Sequence, residues 1–227
     1  MNIKTACPLL ILVGLCVLTP AAVAEERVPL KIKLPDPLEV GTPVEIKGVP
    51  NLEPAPKEGV KRPDFLVPKG TVLLSKGKNV TSSDTDPING SLDLITDGDK
   101  EGADGSWVEL HPGKQWVQLD LEKSAEVAVI VVWHFHSEKF RAYHSIIVQV
   151  SDDPAFKTGV TTVFNNDYAN TVGLGAGKDH PYVENYQGKL IDARGAKGRY
   201  VRLYSAGNTK TRMNHYIEVE IFGKPAA

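Results

Sequence analysis

Cysteine is nearly missing from this chain. Of its 227 residues two are cysteine, Cys7 and Cys16, and both fall within the first 24. Beyond Ala24 there is none, which excludes a disulfide framework, a thiol nucleophile and a cysteine-held metal from the rest. An excess of either charge is missing too: 26 Lys and Arg against 28 Asp and Glu leave a net charge of −2, with no block of like sign. That balance offers no basic field to nucleic acid or to anionic lipid. No apolar run reaches the ~20 residues of a bilayer-spanning helix. Past residue 70, helix-length apolar periodicity is lacking as well.

What is present begins with a leader. Lys4, the apolar stretch from Pro8 to Leu18, and Ala22-Val23-Ala24 make the charged start, apolar run and small-x-small pattern of a secretory signal. Residues 1–24 are therefore read as a signal peptide cleaved after Ala24, and the protein as secreted or periplasmic. A lipid anchor at Cys16 fits less well, because bulky Leu15 stands where a small residue is expected. Loss of Lys4 takes the formal charge from −2 to −3. Asn79-Val-Thr81 and Asn89-Gly-Ser91 are glycosylation acceptors only in a eukaryotic secretory route.

Residues 25–70 hold nine of the 16 prolines. Proline at this density forbids long helices and central strands and favours extended backbone. Two readings fit this arm: a semi-rigid tether, or a segment lying across the domain as an edge strand. The expectation is a mixture, with a loose start and Lys61 to Pro68 docked through Phe65 and Leu66.

Residues 71–225 read as an all-β domain. Val127 to Phe135 is almost wholly apolar and rich in β-branched side chains, as suits a strand buried on both faces. Val117/Leu119/Leu121, Ile146/Val148/Val150, Val201/Leu203 and Ile217/Val219/Ile221 each alternate with their neighbours at period two. Turn-rich stretches separate these runs at Ser82 to Gly90, Asp97 to Ser106, Asn165 to Gly177 and Ala206 to Asn214.

Five phrases stand in order: Leu94-Ile-Thr-Asp-Gly-Asp99 with Trp107, Gln115-Trp-Val-Gln-Leu-Asp-Leu121, Val148 to Asp153, Arg199-Tyr-Val-Arg202 and Glu218 to Gly223. Together they resemble the coagulation-factor V/VIII type C, or discoidin, domain, whose bacterial relatives include the family thirty-two carbohydrate-binding modules. The likeness runs from Leu73 to Gly223. It implies a galactose-binding-domain-like jelly-roll β-sandwich of about eight main strands, close chain ends and a role in binding. The cysteine pair that staples the termini of animal members is missing here, and the turn from Asp97 to Trp107 is longer than usual.

Asp97, Asp99, Asp104 and Ser106, interleaved with Gly98, Gly102 and Gly105, offer carboxylates and curled backbone carbonyls. A Ca²⁺ ion requires both. Asp residues in glycine-rich turns also cap the backbone through their own hydrogen bonds, so either reading fits the residues alone. The resemblance implies a structural Ca²⁺ completed by the carbonyl of Ile217 and the side chain of Glu218.

The other cluster is histidine and aromatic. His134 and His136 lie on one face after the long apolar strand, Trp133 and Phe135 on the other. Arg141, Tyr143 and His144 follow, with Asn166 and Tyr168 in one later loop and Arg212, Asn214 and His215 in another. His134, His136, Arg141, Asn166, Tyr168, Arg212, Asn214 and His215 are the candidate carbohydrate-binding residues. Aromatic faces stack on sugar C–H groups, and fixed polar groups read the hydroxyls. Trp133 and Phe135 fit the core better than a ligand platform. Two further readings stay open: histidines satisfied within the structure, or Zn²⁺ or Cu²⁺ held by His134, His136 and His144 or His215.

A nucleophile elbow and paired open acids are both lacking, so catalysis is not expected. The leading expectation is a non-catalytic, monomeric, secreted module that binds a glycan or another cell-surface or envelope component. The alternative is a protein-interaction or envelope-scaffold module without a sugar ligand. Insertion into a membrane would need exposed apolar loop tips, and these loops are polar.

Overall fold

The computed structural model describes residues 25–37, 45–55, 57, 59–103, 105–136 and 141–226. Residues 1–24, read above as a signal peptide, and Asp104 lie outside the described residues. In chain order the strands are β1 (Arg27–Pro29), β2 (Leu66–Pro68), β3 (Val72–Leu73), β4 (Val80–Ser82), β5 (Val108–Leu110), β6 (Gln115–Trp133) and β7 (Ala142–Tyr143). They continue as β8 (Ile147–Ser151), β9 (Thr161–Asn165), β10 (Tyr182–Val183), β11 (Lys189–Ser205), β12 (Asn214–Tyr216) and β13 (Glu218–Pro225). Among the described residues a single 3-10 turn, Leu92–Thr96, interrupts them.

β6 and β11 pair antiparallel along most of their length and form the spine of the sheet order β3-β13-β6-β11-β8-β9. Both bend midway. Glu122 (φ 68°) in β6, with Arg194 (φ 53°) and Gly195 (φ 72°) in β11, takes the left-handed conformation that breaks a ladder and turns a strand. Before its bend β6 pairs with β4 through Val117–Leu119, and beyond it with β13 through Ala125–Trp133. Each strand thus serves both layers of a sandwich. Val117, Leu119, Leu121, Ile130, Val132, Val148, Val150, Val201, Leu203, Val219 and Ile221 meet in one core between them.

The apolar run after Val127 is buried on both faces, as expected, for a specific reason. Ile130 and Val132 point into the main core, while Val129, Val131 and Trp133 form a second cluster with Val67 and Phe222. That second cluster is roofed by the proline-rich arm: Val28, Leu30, Ile32, Leu34 and Phe65 pack on it. Docking therefore starts near Arg27, with β1 paired to β2, and the start of the arm is not loose. It runs through Phe65 and Val67, because alternation turns Leu66 outward to 47% exposure. Ile217 also departs from its expected face. The chain breaks there between β12 and β13, its N–H bonds to the Trp133 carbonyl at 2.8 Å, and its side chain joins the arm-side cluster.

Candidate functional site

Beyond Trp133 the ladder of β6 ends, and His134, Phe135 and His136 run into one end of the sandwich beside β7, β10 and β12. His134 is fully buried. Its ring stacks on Tyr143 at 4.1 Å, Nδ1–H donates to the His215 carbonyl at 2.7 Å, and Nε2 accepts from the Tyr182 hydroxyl at 3.0 Å. Burial outweighs the hydrogen bond and lowers its pKa to about 4, so the ring is neutral at physiological pH. The sugar contact expected of His134 is corrected here, and the alternative of a histidine satisfied within the structure fits, because both nitrogens are bonded inside. His136 is also buried and held neutral by desolvation; Nε2–H donates to the Lys100 carbonyl at 2.9 Å. Its Nδ1 has no partner among the described residues.

Arg141 and His215 do come together. The Arg141 guanidinium lies 4.5 Å from the Phe135 ring, with Nη1 3.5 Å from His215 Nδ1. On its other side His215 Nε2 faces Glu109 Oε1 at 3.5 Å. Burial and the adjacent Arg141 charge press the His215 pKa down to about 3, so a neutral ring bridges a cation and an anion. The half-buried indole of Trp107 closes this group, edge-on to Phe135 at 4.9 Å and 5.4 Å from His215.

Four predicted residues do not join it as ligand-ready groups. Asn166 is fully buried, its carbonyl accepting from Ile146 N–H at 2.8 Å and its amide donating to the Tyr143 carbonyl at 3.0 Å. Asn214 is likewise spent on the backbone, accepting from Gly207 and donating to His111 and Gly113 at 2.8, 2.8 and 3.0 Å. Both tie loops together, a correction to their expected sugar contact. Tyr168 is half-buried, with its hydroxyl toward the Lys178 carbonyl at 3.3 Å. Arg212 is exposed on the loop before β12.

In the acidic turn, Asp97 is exposed and accepts from Asp99 N–H at 2.7 Å, and Asp99 accepts from Glu101 N–H and the Ser106 hydroxyl, both at 2.9 Å. Glu218 reaches the turn from β13, Oε2 accepting from Gly98 N–H at 3.1 Å. Its Oε1 is buried with no partner among the described residues. Desolvation, with the nearby Glu220 and Asp97 charges, lifts the Glu218 pKa to about 8. Beside it Lys100 and Glu220 form a buried ion pair at 2.5 Å, with the ammonium 5.1 Å from the Trp133 ring. Among the described residues, no three His, Cys, Asp or Glu side chains converge as a metal-holding group.

Sequence reasoning missed Lys100, Glu109 and Glu184. Lys100 reads as an ordinary solvated turn residue, and its burial depends on Glu220 far along the chain. Glu184 is closed in, and burial pushes its carboxyl well above the usual carboxylate range.

No family model matches the chain, and no curated protein matches it. Among solved structures it is similar to a family 89 glycoside hydrolase from Clostridium perfringens, at 19% identity and TM-score 0.51. That likeness covers 68% of this chain and 15% of the hydrolase. It is also similar to a chitosan-binding module of a chitosanase/glucanase from Paenibacillus sp. IK-5, at 19% identity and TM-score 0.44, covering 67% and 99%. A fucose-binding module of Streptococcus pneumoniae gives 18% identity and TM-score 0.43, covering 66% and 96%. At these identities the likeness shows the fold alone, an antiparallel β-sandwich. No helix of the described residues is long and apolar enough to cross a membrane.

Proposed function

We propose that this protein is an exported, non-catalytic module that binds carbohydrate at the end of the sandwich where Trp107, Glu109, Arg141 and His215 meet. One observation carries the reading. A half-buried indole stands beside an arginine and a carboxylate that a neutral histidine holds in place. An aromatic face for sugar C–H groups, with fixed donors and acceptors for hydroxyls, is the chemistry a neutral saccharide needs. Exposed Arg212 stands on the loop before β12, three residues ahead of His215 in the chain. Hydrolysis would need two acids facing one open cavity. Glu109 instead leans on His215, and Glu184 is enclosed near Tyr143 and Tyr182.

A structural Ca²⁺ belongs to the same reading. The buried Oε1 of Glu218, without a partner among the described residues, and the acids around it suit a cation. Glu218, Asp97 and Asp99 would hold it with backbone carbonyls, Ile217's among them, tying the turn to β13.

A glycan array with the purified protein tests the binding. The expected outcome is capture of a defined set of neutral glycans, lost in Trp107→Ala and weakened in Arg141→Lys. A blank array, with an envelope protein co-purifying, would replace this reading by the scaffold alternative.

A further inference from the structure

The arm does more than cover the sheet. Between its second half and the β10–β11 turn lies a cleft of about 350 Å³, within the roughly 300–1,000 Å³ of small-molecule sites. Its walls are rigidly tied. Arg62 donates to the Gln187 and Gly188 carbonyls at 3.0 and 2.9 Å, and the Gln187 side chain accepts from Arg62 N–H and donates to the Val60 carbonyl. Glu53 N–H bonds to the Pro181 carbonyl at 2.9 Å, and the Glu53 carboxylate pairs with Lys189. Gly188 sits at φ +67° with no room for a Cβ, which would fall 2.7 Å from the Trp133 ring. The floor cannot shift without disturbing the core.

Among the described residues the lining carries four cations, Lys57, Lys61, Arg62 and Lys189, against one acid, Glu53. Lys189 already neutralises Glu53, and Lys57 and Lys61 have no acidic partner among the described residues. A concave site with this surplus attracts an anion. Arg62 has spent its fork on carbonyls, so a bidentate phosphate site is not built here. Tyr182 is 2% exposed, so no open aromatic face is offered to a nucleobase. What remains is lysine ammonium for a carboxylate, Pro54, Pro63 and Val60 for C–H surfaces, and the Asn185 amide for hydroxyls. We propose that this cleft is a second binding site, for an acidic saccharide of the uronate type. The cleft shares no lining residue with the group of Trp107, Glu109, Arg141 and His215 and does not rest on the reading given there.

Titration calorimetry of the purified protein with trigalacturonate tests it, against neutral maltotriose and inorganic sulfate. Trigalacturonate is expected to bind. Its affinity should fall roughly tenfold or more in the Lys57→Ala, Lys61→Ala double variant, and also as NaCl rises from about 50 to about 500 mM. Trp107→Ala, at the other site, should leave it unchanged. Absence of binding, equal binding by the double variant, or sulfate or maltotriose binding as tightly as trigalacturonate would each overturn the proposal. Failure of the loop-end reading is scored separately, by the neutral glycans and Trp107→Ala.

Discussion

Replacing His134 by Asn should change how acid acts on this fold more than it changes the fold at neutral pH. In the native state the imidazole is enclosed by Tyr143, Tyr182 and Tyr216, and its pKa is about 4. In the unfolded chain it takes up a proton near 6.5. Between those values the unfolded state binds more protons, so stability is full above about pH 6.5 and is lost as pH falls toward 4. At about 1.4 kcal/mol for each tenfold change in proton affinity, this residue alone accounts for about 3 kcal/mol. Glu184, whose carboxyl accepts the His134 backbone N–H, works in the opposite sense. Its raised pKa gives stability at low pH that is lost as pH rises above its unfolded value. Wild type and variant share Glu184 and the backbone N–H it accepts, so its own contribution largely cancels in the difference between the two proteins. The Asn amide can still donate to the His215 carbonyl, which spares the hydrogen bond made by Nδ1. Urea unfolding at half-unit steps from pH 7.5 to 4.5 reads that difference directly. The variant should start less stable, through lost stacking, and close most of the gap as the pH falls. Parallel curves would refute the assignment of His134 as a buried neutral core residue.

Other outcomes follow from the same contacts. Calcium at a hundred times its dissociation constant should raise stability by about 2.7 kcal/mol; chelator should remove the gain and Glu218→Gln should abolish it, as read by melting temperature. Val67→Ala should cost about 2 kcal/mol in urea unfolding, whereas Leu66→Ala should cost nearly nothing, because Val67 is 2% and Leu66 47% exposed. Equal effects would mean that the arm docks in another register. Asn214→Ala removes three hydrogen bonds at about 1 kcal/mol each. It should therefore lower the melting temperature, whatever it does to sugar capture.

The long apolar run and the proline-rich arm were each ambiguous in the sequence, and each explains the other. Val129, Val131 and Trp133 face away from the main core, so something had to cover them. The alternating Val28, Leu30, Ile32 and Leu34 were the available cover. Proline frequency pointed toward a tether because it reports backbone stiffness and not where apolar side chains go. Alternation within the core strands was legible, since period two is fixed by the pleat. The failure at Ile217 was not, because a strand that changes partners between β5 and β6 leaves no mark in the pattern of apolar residues.

The histidines teach the sharper lesson. Ile130 and Val132 point into the main core, and counting on by two places His134 in the same inward row. The direction of that side chain was therefore written in the strand, although its chemistry drew attention to ligands. A polar residue that continues an inward row must find partners inside, since leaving it unpaired costs about 1–3 kcal/mol. His134 finds them in Tyr182 and the His215 carbonyl. His136 continues the same row and bonds to the Lys100 carbonyl. Groups less enclosed at this end lie off that row: Trp107 just before β5 and Glu109 in β5. Their convergence with His215 depends on β5 pairing with β12, a contact between distant segments that no local pattern encodes. The same long-range pairing sets His215 opposite Glu109, which makes the histidine a bridge within the site and leaves the surface role to the half-buried indole of Trp107.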